Sequence, residues 1–172
     1  GGQPLGFASP LPRRPFFGRL GHPRKRVARE IAVKPVSELL KKRDGTLWHV
    51  RPGDTVYAAL ELLAGYEVGA LMVMDGGHLV GVFSERDYTR KIALQGRNSR
   101  ETQVEEIMTR NVITVSPKTG TRACMALMSD KKIRHLPVVD GTMVLGMISI
   151  RDIMDDIIAD HESTIAQLES YI

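Results

Sequence analysis

The chain is poor in the residues that would place it in several functional classes at once. Cys124 is its single cysteine, which excludes an internal disulfide and a multi-cysteine zinc site. It falls in the helical pattern Cys124-Met125-Ala126-Leu127-Met128, where a buried, unreactive thiol is the default and a nucleophile the exception. Aromatic residues make up 5% of the chain, and no apolar run approaches the ~18 residues of a membrane helix, so the body reads as soluble with no membrane partner. Acidic residues are missing from positions 1–29, which hold seven basic ones (Arg13, Arg14, Arg19, Arg24, Lys25, Arg26, Arg29). The rest of the chain keeps 17 basic against 20 acidic residues, so the formal net charge of +4 belongs to the tail. A mildly acidic body gives no electrostatic case for a nucleic-acid partner.

Catalytic signatures are missing too. There is no Gly-x-Gly-x-x-Gly, Walker or Gly-x-Ser-x-Gly pattern. His49, His78 and His161 are far apart with no carboxylate or thiol at ligand spacing, so no metal site is expected. Glu85 has nothing beside it to make an acid–base centre. The reading is non-enzymatic.

Residues 1–32 form a Gly-, Pro- and Arg-rich tail with Phe16-Phe17 as an aromatic pair. Three readings stand: a disordered extension, a targeting segment, or a basic arm for an acidic partner. The body is expected in the cytoplasm, with an organelle as the alternative because of the Arg-rich start.

What the chain does have is an internal repeat. Gly81-Val82-Phe83-Ser84-Glu85-Arg86-Asp87 returns as Gly146-Met147-Ile148-Ser149-Ile150-Arg151-Asp152, an offset of 65. The same offset aligns Val50 with Val115, Pro52 with Pro117, Leu71 with Leu136 and Asp75-Gly76 with Asp140-Gly141. Register held from Val50 to Asp152 implies a duplicated supersecondary unit whose hydrophobic face its twin covers.

Each unit opens with a short amphipathic segment, Val36–Leu40 or Val104–Met108. A strand follows (Trp48–Val50; Ile113–Val115), stopped by a proline. Next come a helix with apolar residues at helical spacing and a hairpin around Asp75-Gly76-Gly77 or Asp140-Gly141. A second helix begins at Ser84 or Ser149. The units are bounded at 36–95 and 101–160, with residues 161–172 as a C-terminal helix extension. The fold class is α+β, two βαββα repeats related by a pseudo-two-fold. Along the last helix Met154, Ile157, Ile158, Ile165, Leu168 and Ile172 form an apolar stripe longer than one unit needs, which suggests a homodimer.

Ser-x-x-Asp at a strand-to-helix junction has an ordinary explanation: serine caps the helix and the acid suits its dipole. Here it occurs twice, each time after Gly-apolar-apolar. A helix start offers free N–H groups to a phosphate, and a neighbouring Asp can accept both hydroxyls of a ribose. Together they favour a nucleotide.

Gly-apolar-x-Ser-x-x-Asp, with the strand Leu136-Pro137-Val138-Val139-Asp140, resembles the CBS domain of cystathionine β-synthase and many regulatory proteins. Two in tandem form a CBS pair, or Bateman module, here over residues 36–172. Ser84–Lys91, Gln95-Gly96-Arg97 and Ile133–Pro137 are similar to stand-alone CBS-pair proteins of bacteria and plant organelles. The resemblance implies a regulatory module that binds adenosine nucleotides such as AMP, with ATP, ADP or NAD(H) possible, and that signals energy state through assembly or docking to a regulated partner. It also implies two pseudo-symmetric clefts. In one, Asp152 takes the ribose and Ser149, followed by Arg151, the phosphate. The adenine then lies against Val68, Gly69 and Ala70, and Arg134 and His135 neutralise the phosphate. The other uses Ser84 and Asp87, with adenine against Ile133, Arg134 and His135.

The units differ where the base would lie. Gly69-Ala70 leaves room for a flat ring, whereas Arg134-His135 crowds it, so the Asp152 cleft is expected to be the better site. The plainer reading of Arg134-His135 is a solvated strand edge. Two rivals remain: a ligand-free interaction module, and an NAD(H)-responsive redox sensor in which Arg97 and Arg100 meet the extra phosphate.

Overall fold

The structure is a computed structural model that describes residues 34–42 and 45–170, without the side chains of 164, 165, 167 and 168. The tail 1–32, the side chains of Ile165 and Leu168, and Ile172 lie outside the described residues.

The sequence repeat is a repeat of backbone geometry. In the first unit β2 (Ala70–Asp75) and β3 (His78–Ser84) form an antiparallel hairpin, and β1 (His49–Val50) lies parallel on the other side of β2. In the second, β4 (His135–Asp140) pairs with β5 (Met143–Ser149). Ala70 faces Ser84 as His135 faces Ser149, and the register shifts after Val73 as it does after Val138. The first hairpin turns through Gly76 and Gly77, with φ of 55° and 82°, values that favour glycine.

The helices that precede the hairpins end alike. α2 (Val56–Tyr66) is capped by Thr55, whose hydroxyl accepts the Ala58 N–H at 3.1 Å. It stops at Glu67, and α4 (Thr121–Lys131) stops at Lys132, both left-handed with φ 54°. The next N–H reaches back over the last turn in each, Val68 to the Leu63 carbonyl at 3.1 Å and Ile133 to the Met128 carbonyl at 3.0 Å. Those bonds satisfy carbonyls the helix leaves open and offset the cost of a non-glycine residue there.

Two expectations from the repeat need correction. The strand expected at Ile113–Val115 is reduced to one bridge, Val115 to Val138. In the first unit Met72 N–H donates to the Trp48 carbonyl at 3.3 Å; its counterpart is Pro137, which has no N–H, so the ladder cannot extend. The helix after Ser84 is also short. α3 (Glu85–Tyr88) widens into a turn over Thr89–Ala93, in which Leu94 N–H reaches the Thr89 carbonyl at 3.0 Å. The Thr89 hydroxyl donates back to the Glu85 carbonyl at 3.0 Å, a contact that bends helices. Its counterpart α5 (Ile150–Glu169) runs on for 20 residues.

The lead-in segments cross over between units. α1 (Val36–Leu40) precedes the first unit but bonds to the second, Val36 N–H to the Thr119 carbonyl at 2.9 Å and Ser37 N–H to the Pro117 carbonyl at 3.1 Å. The 3-10 turn Val104–Glu106 bonds to the first, with Val104 N–H to the Asp54 carbonyl at 2.9 Å. Each unit's core therefore contains the other's lead-in. Val104, Ile107 and Met108 pack with Val56, Leu63, Leu71 and Phe83, while Val36 and Leu39 pack with Cys124, Met128, Leu136, Ile148 and Ile153. Burial pushes the Cys124 thiol up to about 11, which keeps it protonated and unreactive at neutral pH. A third cluster, Ala70, Met72 and Met147, joins the units face to face.

Along α5, Met154 and Ile158 are exposed, as the stripe predicts. Ile157 is not, because it packs against the second core with Ile153.

Candidate functional site

The two Ser-x-x-Asp motifs both form capping boxes, but with different surroundings. At the first, Ser84 N–H and its hydroxyl donate to Asp87 Oδ2, each at 3.0 Å, and Asp87 N–H donates to Ser84 Oγ at 3.2 Å. The other carboxylate oxygen, Oδ1, receives Lys91 Nζ at 3.0 Å and the Thr109 hydroxyl at 3.4 Å. Asp87 is buried. At the second, Ser149 N–H donates to Asp152 Oδ2 at 2.7 Å and Asp152 N–H to Ser149 Oγ at 3.1 Å, and the aspartate is half-buried.

The glycines ahead of the caps differ in the same sense. A Cβ on Gly81 would stand 2.6 Å from Met108 Sδ and 3.1 Å from the Thr109 carbonyl oxygen. Thr109 pairs with Val82 through both its N–H and its carbonyl, at 2.9 and 3.0 Å, so the linker, the stretch that runs from the Val104–Met108 lead-in toward the second unit, roofs this end of β3. A Cβ on Gly146 would meet only Leu40 within 4 Å, its Cδ2 at 3.1 Å. Gly146 opens instead on a cleft between the units, lined by Leu40, Gly45, Thr46, Trp48, Met72, Leu145 and Met147 as well. Met147 and Ser149 share a face of β5, because alternate strand residues do, which joins the cleft to the Asp152 cap.

Of the other residues singled out by the sequence, Ala70 is buried in the inter-unit cluster, and Val68 and Ile133 are half-buried against the first and second cores. The His135 ring fills the room expected at Gly69: its Cε1 lies 3.3 Å from where a Gly69 Cβ would stand, with Glu85 Oε2 at 4.0 Å. Arg134 is exposed, and its carbonyl accepts the Ile150 N–H at 2.9 Å. Arg151 is exposed, with Nε 3.9 Å from Asp155. Arg97 pairs with Glu106 at 2.8 Å and Arg100 lies 3.9 Å over the Tyr57 ring. Leu40, Thr46, Trp48, Met72 and Met147 were not among the expected site residues. The signals for them were the single tryptophan and the echo between the lead-in segments.

One wall of the cleft is held by charge. Lys34 and Lys42, at either end of α1, reach buried Asp156 of α5 at 2.9 and 2.6 Å. Burial alone would raise the Asp156 carboxyl, but the hydrogen bonds from Lys42 and Lys34 outweigh it and hold the group below the usual carboxylate range. Among the described residues no group of three His, Cys, Asp or Glu side chains could hold a metal ion.

Two sheet-and-helix units in one register, with exchanged lead-ins and a cleft between them, define a tandem α+β architecture. The CBS-domain family model matches residues 29–94 and again residues 104–159, and the chain belongs to the CBS-domain family as a tandem pair. It is 38% identical over 146 residues to the mitochondrial CBS domain-containing protein CBSX3 of Arabidopsis thaliana, covering 80% of this chain and 71% of that one. Among solved structures, a protein with CBS domains from Burkholderia ambifaria is 45% identical, with a TM-score of 0.71 over 74% of this chain and 96% of that one. The CBS domain pair of the protein MJ0100, in complex with 5′-methylthioadenosine and S-adenosyl-L-methionine, is 26% identical, with a TM-score of 0.65 over 74% of this chain and 98% of that one. No helix among the described residues is long and apolar enough to cross a membrane.

Proposed function

We propose that this CBS pair is a non-enzymatic regulatory module that binds an adenine nucleotide, AMP in preference to ADP, ATP or NAD(H), in the Asp152 cleft. The observation that carries the reading is the cleft at Gly146–Met147 leading along one face of β5 to the Ser149–Asp152 cap. The base lies between Met72, Met147, Leu40 and Trp48, where apolar walls and one aromatic suit a flat ring. Met147 and Ser149 are about 7 Å apart along the strand, the step from a base to its sugar. Asp152 accepts the ribose hydroxyls, and the start of α5 with Ser149 receives the phosphate. Arg134 adds positive charge, and His135 is the cross-strand partner of Ser149. The adenosine-containing ligands of the MJ0100 pair support the class. Arg97 and Arg100 already have partners, which weakens the case for a dinucleotide. A bound nucleotide shifts the module only as far as it prefers one arrangement of the units, and assembly or docking to a regulated partner is the output.

Calorimetry against AMP, ADP, ATP, NADH and S-adenosylmethionine, with Trp48 fluorescence as a second readout, tests this. AMP binds and alters the emission, and Asp152→Ala weakens it roughly ten- to a hundred-fold, the loss of two charge-assisted hydrogen bonds. Neither heat nor emission change with any of the five ligands leaves the ligand-free interaction module.

We further propose a homodimer through α5, whose Met154 and Ile158 are one turn apart and each 52% exposed. Truncation after Asp160 is expected to weaken the dimer. Light scattering that finds a monomer for the intact chain at micromolar concentration overturns it.

A further inference from the structure

We propose that Asp87 is a structural staple rather than a second nucleotide group, so that the chain holds one nucleotide, at Asp152. The inference rests on the functional reading above for its ligand, and on independent geometry for the staple.

A carboxylate offers about four acceptor positions. At Asp87 four donors converge: Ser84 N–H, Ser84 Oγ, Lys91 Nζ and Thr109 Oγ1. A ribose could bind there only by displacing an ammonium and a hydroxyl from a buried acid. Lys91 has a second tie, donating to the Ile107 carbonyl at 2.7 Å. Its ammonium therefore joins α3 to the linker as the linker crosses the first unit. Thr109, the other donor to Oδ1, is held by its backbone to Val82.

The closing of Gly81 supports the staple separately. Met108 and Thr109 stand where a ligand would approach the end of β3, whereas the equivalent position beside Gly146 lines the open cleft. At the place of Lys91, 65 residues on, the second unit has Asp156. That side chain turns to Lys34 and Lys42.

Equilibrium dialysis with labelled AMP and thermal melts decide the matter, using wild type, Lys91→Met and Thr109→Val. The wild type is expected to bind one AMP per chain. Lys91→Met is expected to lower the melting midpoint by on the order of 5 °C and to leave AMP affinity within about threefold, less than 1 kcal/mol. Thr109→Val gives a smaller fall in midpoint. Two AMP per chain, or a tenfold loss of AMP affinity in Lys91→Met, overturns the inference and leaves the functional reading intact. A wild type that binds no AMP sinks the functional reading instead. The melts then rule on the staple alone, and midpoints unchanged in both variants refute it.

Discussion

In the first unit a lysine on the helix after the hairpin clamps the arriving linker; in the second an aspartate at the same place clamps the arriving α1. Lys91 reaches the Ile107 carbonyl and Asp87, and Asp156 takes Lys34 and Lys42. The charge is inverted but the mechanical role is kept. Each lead-in crosses to the other unit and needs an anchor where it passes the helix. In the first unit the anchor consumes the aspartate of the Ser-x-x-Asp motif, and in the second it sits one helical turn further on. On the proposal above, one duplicated motif closes one cleft and leaves its twin open.

The largest break in this comparison should come at the two glycines. Gly81→Ala drives a methyl into Met108 Sδ and the Thr109 carbonyl. The sulfur can swing away, but the backbone oxygen is fixed by pairing with Val82. A loss of about 1–3 kcal/mol is expected, the usual range for overpacking. Gly146→Ala meets only a leucine methyl at 3.1 Å, and about 1 kcal/mol or less should follow. Denaturant unfolding of both variants measures the gap, and equal losses would show that the linker does not roof the first unit.

The pH dependence of the second clamp is next in size. Asp156 has its folded carboxyl pKa held below the ordinary 3.8. Its contribution is therefore fully present above that value and is lost as the pH falls through the lower folded one. Lys34 is raised above its ordinary 10.5, chiefly by its hydrogen bond to Asp156, so its share persists to that pH and fades only beyond the raised value. Asp156→Asn should cost about 1–2 kcal/mol at pH 7, since the two lysines remain free to reach water. Its melting midpoint should fall less steeply than that of wild type below pH 4. Parallel acid profiles for the two proteins would remove the clamp.

How far the sequence carried this structure depends on the distance between the residues that matter. Hairpins, turns and caps were legible, because Asp75-Gly76-Gly77 and Ser-x-x-Asp act within a few residues. The offset of 65 carried the second unit from the first. The exchange of lead-ins was not legible: nothing in Val36–Leu40 says that it packs on Pro117 and Thr119 rather than on the strand it precedes. For that reason Leu40 and Thr46 were absent from the expected site. Asp87 and Asp152 were legible as a pair, and the lean toward Asp152 came from Gly69-Ala70 against Arg134-His135. The proposal that Asp87 is a staple rests on other residues, Lys91 and Thr109, which are four and 22 residues from Asp87.

The smallest expected effect concerns the single proline that makes the two sheets unequal. Met72 donates its N–H to Trp48 and so gives the first unit a third strand, while Pro137 cannot do the same for Ile113. Pro137→Met restores a donor at the one rung where it is missing. The flanking bonds already exist, Val115 N–H to the Pro137 carbonyl and Val139 N–H to the Val115 carbonyl. The added bond completes a ladder rather than starting one. A typical hydrogen bond contributes about 0.5–1.5 kcal/mol net, and the greater freedom of the unfolded chain without proline takes back roughly 0.4–1 kcal/mol. Stability should therefore move little, while the new amide at position 137 becomes protected from hydrogen exchange to the level of Met72. An amide at 137 that exchanges freely would mean that something other than the proline keeps Ile113–Val115 off the sheet.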